Sequence, residues 1–239
     1  MRVSQFEIYR LIQRSMEALG AGYGVDRDAA RFVAWLEARG LPGLAAFEQE
    51  LGRLETGMPV PRPIRHGATE IEIALDGPAV ACAGALLDLA SGQVRQSGDM
   101  QLRLLGCSAP LYLIPAAVEA DLPLSLAWPT PRGEVGAVIA QGNVTLFVKE
   151  GVAIEAALLA ELAGDVLLRA IRKASPRRAG VGVALTADSL RQRLDHSLDA
   201  GVAVDPALWQ RIDRVAARVQ VPASTVSRER GAGGGDANI

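Results

Sequence analysis

The segment that decides the fold reads Ser4-Gln5-Phe6-Glu7-Ile8-Tyr9-Arg10-Leu11-Ile12-Gln13-Arg14-Ser15-Met16-Glu17-Ala18-Leu19-Gly20. Ser4 and Glu7 have the spacing of a capping box, in which each side chain bonds the other residue's backbone N–H at a helix start. Apolar residues then recur every three or four positions, which is the period of one helix face. Gly20 can end the helix in the left-handed conformation. The segment therefore predicts an amphipathic helix over residues 4–20.

Two further helices are predicted before residue 58. Asp26 is a candidate N-cap for the second helix, which ends at Gly40-Leu41-Pro42. The third helix carries apolar residues at helical spacing from Leu44 to Leu54, and Gly57 stops it. The proline-rich run over residues 59–63 predicts an extended connector, because proline biases the residue before it towards extended backbone.

The pattern changes to alternation in the middle of the chain, where every second residue is apolar over several short runs. This period predicts strands at 71–75, 124–128, 135–140 and 144–148, the last two joined by a hairpin turn at 141–143. We also predict a strand at 102–105, a turn at 76–78, and helices at 80–91, 111–120 and 155–173. Helices and strands that alternate in this way indicate a mixed α/β domain.

Helical signals return after residue 185. Thr186 is a candidate N-cap for a helix with three evenly spaced leucines, and Gly201 ends that helix. Asp205-Pro206 then opens a last helix, since proline is favoured at the first helical position. We predict one α/β unit over residues 1–222, with a mixed central sheet flanked by helical segments at 4–56 and 186–220. The Gly-, Ser- and Arg-rich residues 223–239 are predicted to be a disordered tail.

The composition excludes several classes of protein. Of 239 residues, 49% are apolar and 22% are charged, and the net charge of −2 gives no electrostatic reason to expect nucleic acid binding. The two cysteines, Cys82 and Cys107, cannot build a disulfide framework and fit a reducing compartment. No apolar run reaches the roughly 18 residues of a membrane span, and no secretory signal is visible. We expect a cytoplasmic protein.

Three stretches of the chain resemble the malate/L-lactate dehydrogenase type 2 family. They are Leu19-Gly20 with Asp28-Ala29-Ala30 and Ala34-Trp35-Leu36-Glu37-Ala38-Arg39-Gly40; Leu44 to Pro63 with Leu75-Asp76-Gly77 and Ala83-Gly84-Ala85-Leu86-Leu87-Asp88-Leu89-Ala90; and Gly201-Val202-Ala203-Val204-Asp205-Pro206-Ala207-Leu208-Trp209. Their order and spacing match the family. The resemblance implies the family's α/β fold and descent from an oxidoreductase that uses a nicotinamide cofactor.

The histidines that carry the family's chemistry are missing from these stretches. Where the family has a Ser-His-Gly motif, this chain reads Gly40-Leu41-Pro42-Gly43-Leu44. Where the family has a second histidine motif, the chain reads Leu105-Gly106-Cys107-Ser108-Ala109-Pro110. The chain is also much shorter than typical members, so we expect family cofactor- and substrate-binding segments to be absent. Hydride transfer to a keto group needs a proton donor, most often histidine, and none of the family's catalytic residues can be assigned here.

Three residues, Cys107, Ser108 and His66, remain as candidate site residues. Cys107 and Ser108 follow a predicted strand and precede a predicted helix, which is where ligands bind in open α/β sheets. A nucleophile there needs an adjacent base, and no motif supplies one, so we favour a buried, inert cysteine. His66 is a candidate acid or base, although an ordinary loop histidine is the favoured interpretation. His196 is interpreted as a surface residue of its helix, and the Cys and His spacing predicts no metal site.

Two classes of function fit the sequence. The favoured one is a non-catalytic accessory protein derived from a dehydrogenase-like oxidoreductase, without a cofactor, that forms a homodimer or a protein hetero-complex. The alternative is an enzyme with a rebuilt active site, an NAD(P)-dependent oxidoreductase acting on a small 2-oxo or imino acid. Neither class is expected to bind nucleic acid or a membrane.

Overall fold

A computed structural model describes residues 1–149, 151–162, 164–170 and 181–219. The helices are α1 (Gln5–Ala18), α2 (Val25–Glu37), α3 (Gly43–Thr56), α4 (Ala83–Ser97), α5 (Leu113–Glu119), α6 (Ile154–Leu158), α7 (Ala187–Ala200) and α8 (Pro206–Ala216). The strands are β1 (Arg2–Val3), β2 (Arg62–His66), β3 (Glu70–Pro78), β4 (Met100–Ser108), β5 (Leu124–Thr130), β6 (Gly133–Ala140), β7 (Asn143–Lys149), β8 (Val166–Ala170), β9 (Val181–Leu185) and β10 (Val202–Ala203). Short 3-10 turns occur at Ala79–Ala81, Pro110–Tyr112 and Ala217–Val219.

The central sheet has eight strands in the order β2-β3-β4-β8-β5-β6-β7-β9. Among the described strand pairs, β3 and β4 are parallel and the other neighbours are antiparallel. The parallel pair needs a long crossover, and α4 provides it. Alternate residues of β5 are buried, as its sequence period predicts, and Trp128 is among the largest fully buried side chains. The predicted mixed α/β architecture is confirmed.

The N-terminal helices form a layer that the C-terminal segment completes. The backbone N–H of Glu7 donates to Ser4 Oγ at 3.2 Å, and the Ser4 N–H donates to Glu7 Oε2 at 2.7 Å, so the predicted capping box is present. Helix α1 packs against α2 and α8. Strands β1 and β10 pair antiparallel, with Arg2 opposite Ala203 and Val3 opposite Val202. Residues near both ends of the described chain therefore pack together in one structural layer.

The long helix predicted over 155–173 is wrong. Only Ile154–Leu158 is helical, and Val166–Ala170 forms strand β8 between β4 and β5. Val166, Leu168 and Ala170 are buried, whereas the two residues between them are partly exposed. A continuous apolar run is compatible with a buried helix or a central strand, and its period alone does not distinguish them. Residues 171–173 and the predicted tail at 223–239 lie outside the described residues.

Three local predictions also need correction. Asp76-Gly77-Pro78 is not a turn between elements, because β3 continues through it with a register shift between Ala74 and Gly77, as in a β-bulge. The proline-rich connector ends by forming edge strand β2 at Arg62–His66, so His66 lies on a strand and not in a loop. The N-cap of α2 is Gly24, and the Asp26 carboxylate accepts a hydrogen bond from its N–H at 2.9 Å.

None of the helices within the described ranges combines the length and the apolar content that a membrane crossing requires.

Candidate functional site

A cleft of about 950 Å³ opens at the end of β4, which is the place that the sequence singled out. One wall is helix α3, with Glu50 and Arg53. The other walls come from the bulge in β3, the end of β4 at Cys107 and Ser108, and the chain between α6 and β8. The cleft thus joins segments that are far apart in sequence.

Ser108, Glu50 and Arg53 form a hydrogen-bonded cluster in this cleft. Ser108 Oγ donates to Glu50 Oε2 at 2.9 Å, and Arg53 Nη1 donates to both Glu50 carboxylate oxygens at 3.0 and 3.2 Å. Glu50 is only 7% exposed, and a buried carboxylate is costly unless charged and hydrogen-bonding groups compensate it. The cluster therefore gives the Glu50 carboxylate oxygens hydrogen-bond donors, and the Ser108 hydroxyl is one of these donors.

The Cys107 thiol is buried beside this cluster. Burial raises the pKa of Cys107 well above its usual value, and nearby Cys82 and Glu50 raise it further. Burial also raises the pKa of Cys82 to about 12. Because the thiolate is the reactive form of cysteine, both side chains remain protonated and unreactive at neutral pH. Cys107 is buried, as predicted, and its lack of reactivity stays a prediction.

Backbone geometry brings Cys107 and Ser108 to the cleft. Gly106 has φ +64° and Ala109 has φ +47°, so the end of β4 turns through left-handed conformations on both sides of the pair. A Cβ at Gly106 would lie 2.7 Å from Asp76 Oδ1 and 3.3 Å from the Asp76 backbone. Only glycine allows β4 to approach the β3 bulge this closely.

The rim of the cleft carries more negative than positive charge. Asp76, Glu161 and Asp165 join Glu50 as acidic lining residues, and Arg53 is the basic residue among the described lining groups. Arg62 pairs with Asp76 at 2.5 Å, and Arg103 pairs with Asp165 at 2.6 Å. These arginines neutralise part of the rim. The arrangement can orient a polar ligand by hydrogen bonds, but it supplies no imidazole beside Ser108.

The structure does not bring the histidines to Cys107 and Ser108. His66 is exposed at the end of β2, opposite Ile71, and does not line the cleft. His196 is exposed on α7 and lines a different groove. Within the described ranges, no group of three or more His, Cys, Asp or Glu residues has an arrangement that could hold a metal ion.

Sequence reasoning missed Glu50 and Glu37. The Glu37 carboxylate, at the end of α2, accepts a hydrogen bond from the Leu44 N–H at 2.7 Å and so caps the start of α3. Burial raises the pKa of Glu37 to about 7, with a smaller contribution from Glu155, against the lowering effect of the backbone N–H groups. The available signal for Glu50 was its place on the apolar stripe of α3, three residues after Phe47 and four before Leu54.

Comparisons with known proteins give a fold and a partial family match. A family model described as "Protein of unknown function (DUF3726)" matches residues 3–84. No curated protein matches the chain. The dehydrogenase from Sinorhizobium meliloti is a similar solved structure, with a TM-score of 0.64 at 15% identity, aligned over 91% of this chain and 99% of its own.

Two archaeal structures are similar to the same degree. The malate dehydrogenase from Pyrococcus horikoshii OT3 has a TM-score of 0.63 at 13% identity, over 92% of this chain and 96% of its own. The sulfolactate dehydrogenase from Methanocaldococcus jannaschii has a TM-score of 0.65 at 11% identity, over 90% and 96%. The chain therefore has the fold of malate/lactate dehydrogenase-type structures, which confirms the fold that the resemblance in the sequence implied.

Proposed function

We propose that this protein is a non-catalytic accessory protein built on a dehydrogenase fold. The observation that supports this proposal is the state of the two side chains at the end of β4. Cys107 is buried with a raised pKa, and Ser108 donates its hydrogen to Glu50, which Arg53 also holds. Cys107 thus keeps its proton, and the carboxylate beside Ser108 is engaged in an ion pair with Arg53, whereas nucleophilic catalysis needs a base that is free to take the proton.

The accessory role that we propose is assembly, as a homodimer or in a protein hetero-complex. Leu190 is the buried residue of α7, whereas Leu198 on the same helix is 64% exposed. Val183 on the neighbouring edge strand β9 is 58% exposed. Exposed apolar side chains are a common component of interfaces, and two-fold pairing is the commonest arrangement for a single chain. Both cysteines are free thiols, which suits the cytoplasm as the proposed location.

The cleft supports a second candidate function, an enzyme with a rebuilt active site. A volume of about 950 Å³ can seat a small substrate, and the buried Glu50 carboxylate lies in its wall. In this alternative the protein is an NAD(P)-dependent oxidoreductase acting on a small 2-oxo or imino acid. Ser108 and Glu50 would orient the substrate, and a cofactor would bind to the outer part of the cleft.

Titration with NADH and NADPH separates the two functions. The accessory protein should show no saturable heat in calorimetry and no change in nicotinamide fluorescence up to about millimolar concentrations, where the binding free energy is near −4 kcal/mol. A dissociation constant in the low micromolar range would overturn the proposal and favour the enzyme. In that case Glu50→Gln should lower turnover of a 2-oxo acid, whereas Glu17→Gln, on the exposed face of α1, should not.

A further inference from the structure

A second groove, of about 520 Å³, lies away from the cleft, between the end of α2 and one face of α7. Its lining comes from three parts of the chain: Arg2 in β1, Glu37 at the end of α2, and Arg193 with His196 in α7. These parts meet because β1 pairs with β10, directly after α7. The groove is therefore a product of the fold and not of one local segment.

Helix α7 turns a polar face towards this groove. Ser189, Gln192, Arg193 and His196 line the groove at helical spacing. A surface helix usually packs its apolar stripe against the protein and leaves its polar face to solvent. In α7, Leu190 is buried, and Gln192, Arg193 and His196 are exposed along the groove. This orientation places hydrogen-bond donors in the groove.

Two guanidinium groups are held in the groove by backbone carbonyls. Arg2 Nη1 donates to the carbonyl oxygens of Ala200 and Gly201, both at 2.9 Å. Arg193 Nη1 donates to the Gly40 carbonyl oxygen at 3.2 Å. None of the ion pairs found in the described part of the chain involves Arg2 or Arg193. These carbonyls lie at or shortly after the C-terminal ends of α7 and α2, and their partial negative charge orients the two guanidinium groups and offsets only part of their positive charge.

The acidic group of the groove is Glu37, and its charge depends on pH. Burial raises the pKa of Glu37 to about 7, so the carboxyl is largely neutral below that pH. The charged and titratable groups around Glu37 are Glu155 in α6, Tyr112 before α5, and Arg2, Arg193 and His196 across the groove. In slightly acidic solution the groove therefore carries the two positive charges of Arg2 and Arg193 and little negative charge.

We propose that this groove binds a phosphoryl group or an equivalent tetrahedral dianion. Two guanidinium groups line the groove, one from β1 and one from α7; together they match the double charge of such an anion, and charge-assisted bonds from Arg to its oxygens are strong. Gln192 and His196 add donors from the same face of α7. The free part of a phosphorylated ligand would extend along the open side of the groove.

Calorimetric titration of the full chain at low ionic strength tests this site, with sulfate and inorganic phosphate as probes. Both should bind saturably, and Arg193→Gln should weaken binding about tenfold, which corresponds to about 1.4 kcal/mol. The matched control is Arg191→Gln, on the same helix, because Arg191 contacts Asn143 and Asp188 and does not line the groove. The control should bind sulfate like the unchanged protein.

The pH dependence gives a second, independent test. Sulfate keeps its charge between pH 6 and 8, so a change in its affinity reports the protein. Sulfate should bind more tightly near pH 6, and Glu37→Gln should reduce this difference. If Arg193→Gln does not fold, His196→Gln, which changes an exposed side chain, should also weaken binding near pH 6.

Three results would overturn the proposal. The first is the absence of saturable binding of either probe at millimolar concentration. The second is equal weakening by Arg191→Gln and Arg193→Gln, which would indicate attraction to the general charge of α7. The third is binding of the dicarboxylate succinate, which has two separate planar carboxylate groups, about tenfold more tightly than both sulfate and phosphate, which would exclude a tetrahedral site.

Discussion

Cys107 and Ser108 are neighbours in sequence but have different environments. Cys107 is buried among apolar side chains, and burial raises its pKa. Ser108 is partly buried and donates its hydrogen to Glu50. A reactive cysteine is generally exposed and has a lowered pKa. Cys107 is instead buried, and its pKa is raised.

Thiol labelling of the native protein near neutral pH should be slow. The reagent needs a thiolate and access, and Cys107 offers neither while the chain is folded. Labelling should become fast in denaturant, for Cys82 as well as for Cys107. Cys107→Ala should cost about 1 kcal/mol of unfolding free energy, a typical value for a single substitution. Fast labelling of folded Cys107 would contradict the accessory function.

Glu37 should make the free energy of unfolding depend on pH. Its folded pKa of about 7 lies above the ordinary value of 4.5, so the folded state binds more protons than the unfolded state between these values. Stability from this group is therefore present at low pH and falls as pH rises through about 7. Glu37→Gln keeps an acceptor for the Leu44 N–H but cannot ionise. It should stabilise the protein by about 1–3 kcal/mol at pH 8 and by little at pH 5.

Urea denaturation at the two pH values measures this difference. The matched control is Glu17→Gln, an exposed carboxyl on α1, whose effect should be small at both pH values. Equal destabilisation by Glu37→Gln at pH 5 and pH 8 would show that the capping hydrogen bond matters more than ionisation.

The sequence located the candidate cleft but not the charges that define it. Cys107 and Ser108 could be chosen because the end of a strand is visible in the pattern. Glu50 and Glu37 could not be chosen in the same way, because a glutamate in a helix is usually solvated. The apolar stripe of α3 gives a local signal for the burial of Glu50, but its bond with Ser108 on β4, and the bond of Glu37 with the start of α3, arise only in the folded chain.

At the scale of elements, the positions of helix starts were predicted better than the choice between helix and strand for an apolar segment. Ser4, Thr186 and Asp205 cap their helices as expected, because a cap is a local hydrogen bond between near neighbours. The segment at 155–170 was predicted wrongly, because its strand β8 exists only through pairing with β4 and β5. Pairing between distant strands leaves no local signature in an apolar run.

Gly43, at the start of α3, lies very close to α2. Adding a methyl group there should therefore destabilise the protein. A Cβ at Gly43 would lie 2.9 Å from the Val33 carbonyl oxygen and 3.0 Å from Leu36 Cβ. Gly43→Ala should therefore lower the free energy of unfolding by about 1–3 kcal/mol, the usual cost of overpacking. Thermal or urea denaturation measures it.

The control for this prediction lies in the same helix. Gly52 has no atom within 4 Å of the position that a Cβ would take. Gly52→Ala should therefore raise the unfolding free energy by about 0.5–1 kcal/mol, because alanine favours the helix over glycine. If Gly43→Ala also raised the unfolding free energy, packing at Gly43 would be looser than described.

At the scale of the molecule, we expect association through α7 and β9. Light scattering at micromolar concentration should give the mass of a dimer or larger complex. Leu198→Glu should reduce it to that of one chain, because a charge is costly in an apolar interface. Val60→Glu changes a side chain that is 72% exposed near the other edge of the sheet, and it should leave the mass unchanged. A monomer with no partner recovered from lysate would contradict assembly.

The pairing of β1 with β10 also has a consequence for synthesis on the ribosome. Arg2 and Val3 are made about 200 residues before their partners Ala203 and Val202. Helix α1 likewise waits for α8, which covers part of its apolar face. Until then, the nascent N-terminal helices keep apolar surface that a chaperone could bind. A prematurely terminated chain would keep that surface exposed and would be a preferred target for proteolysis.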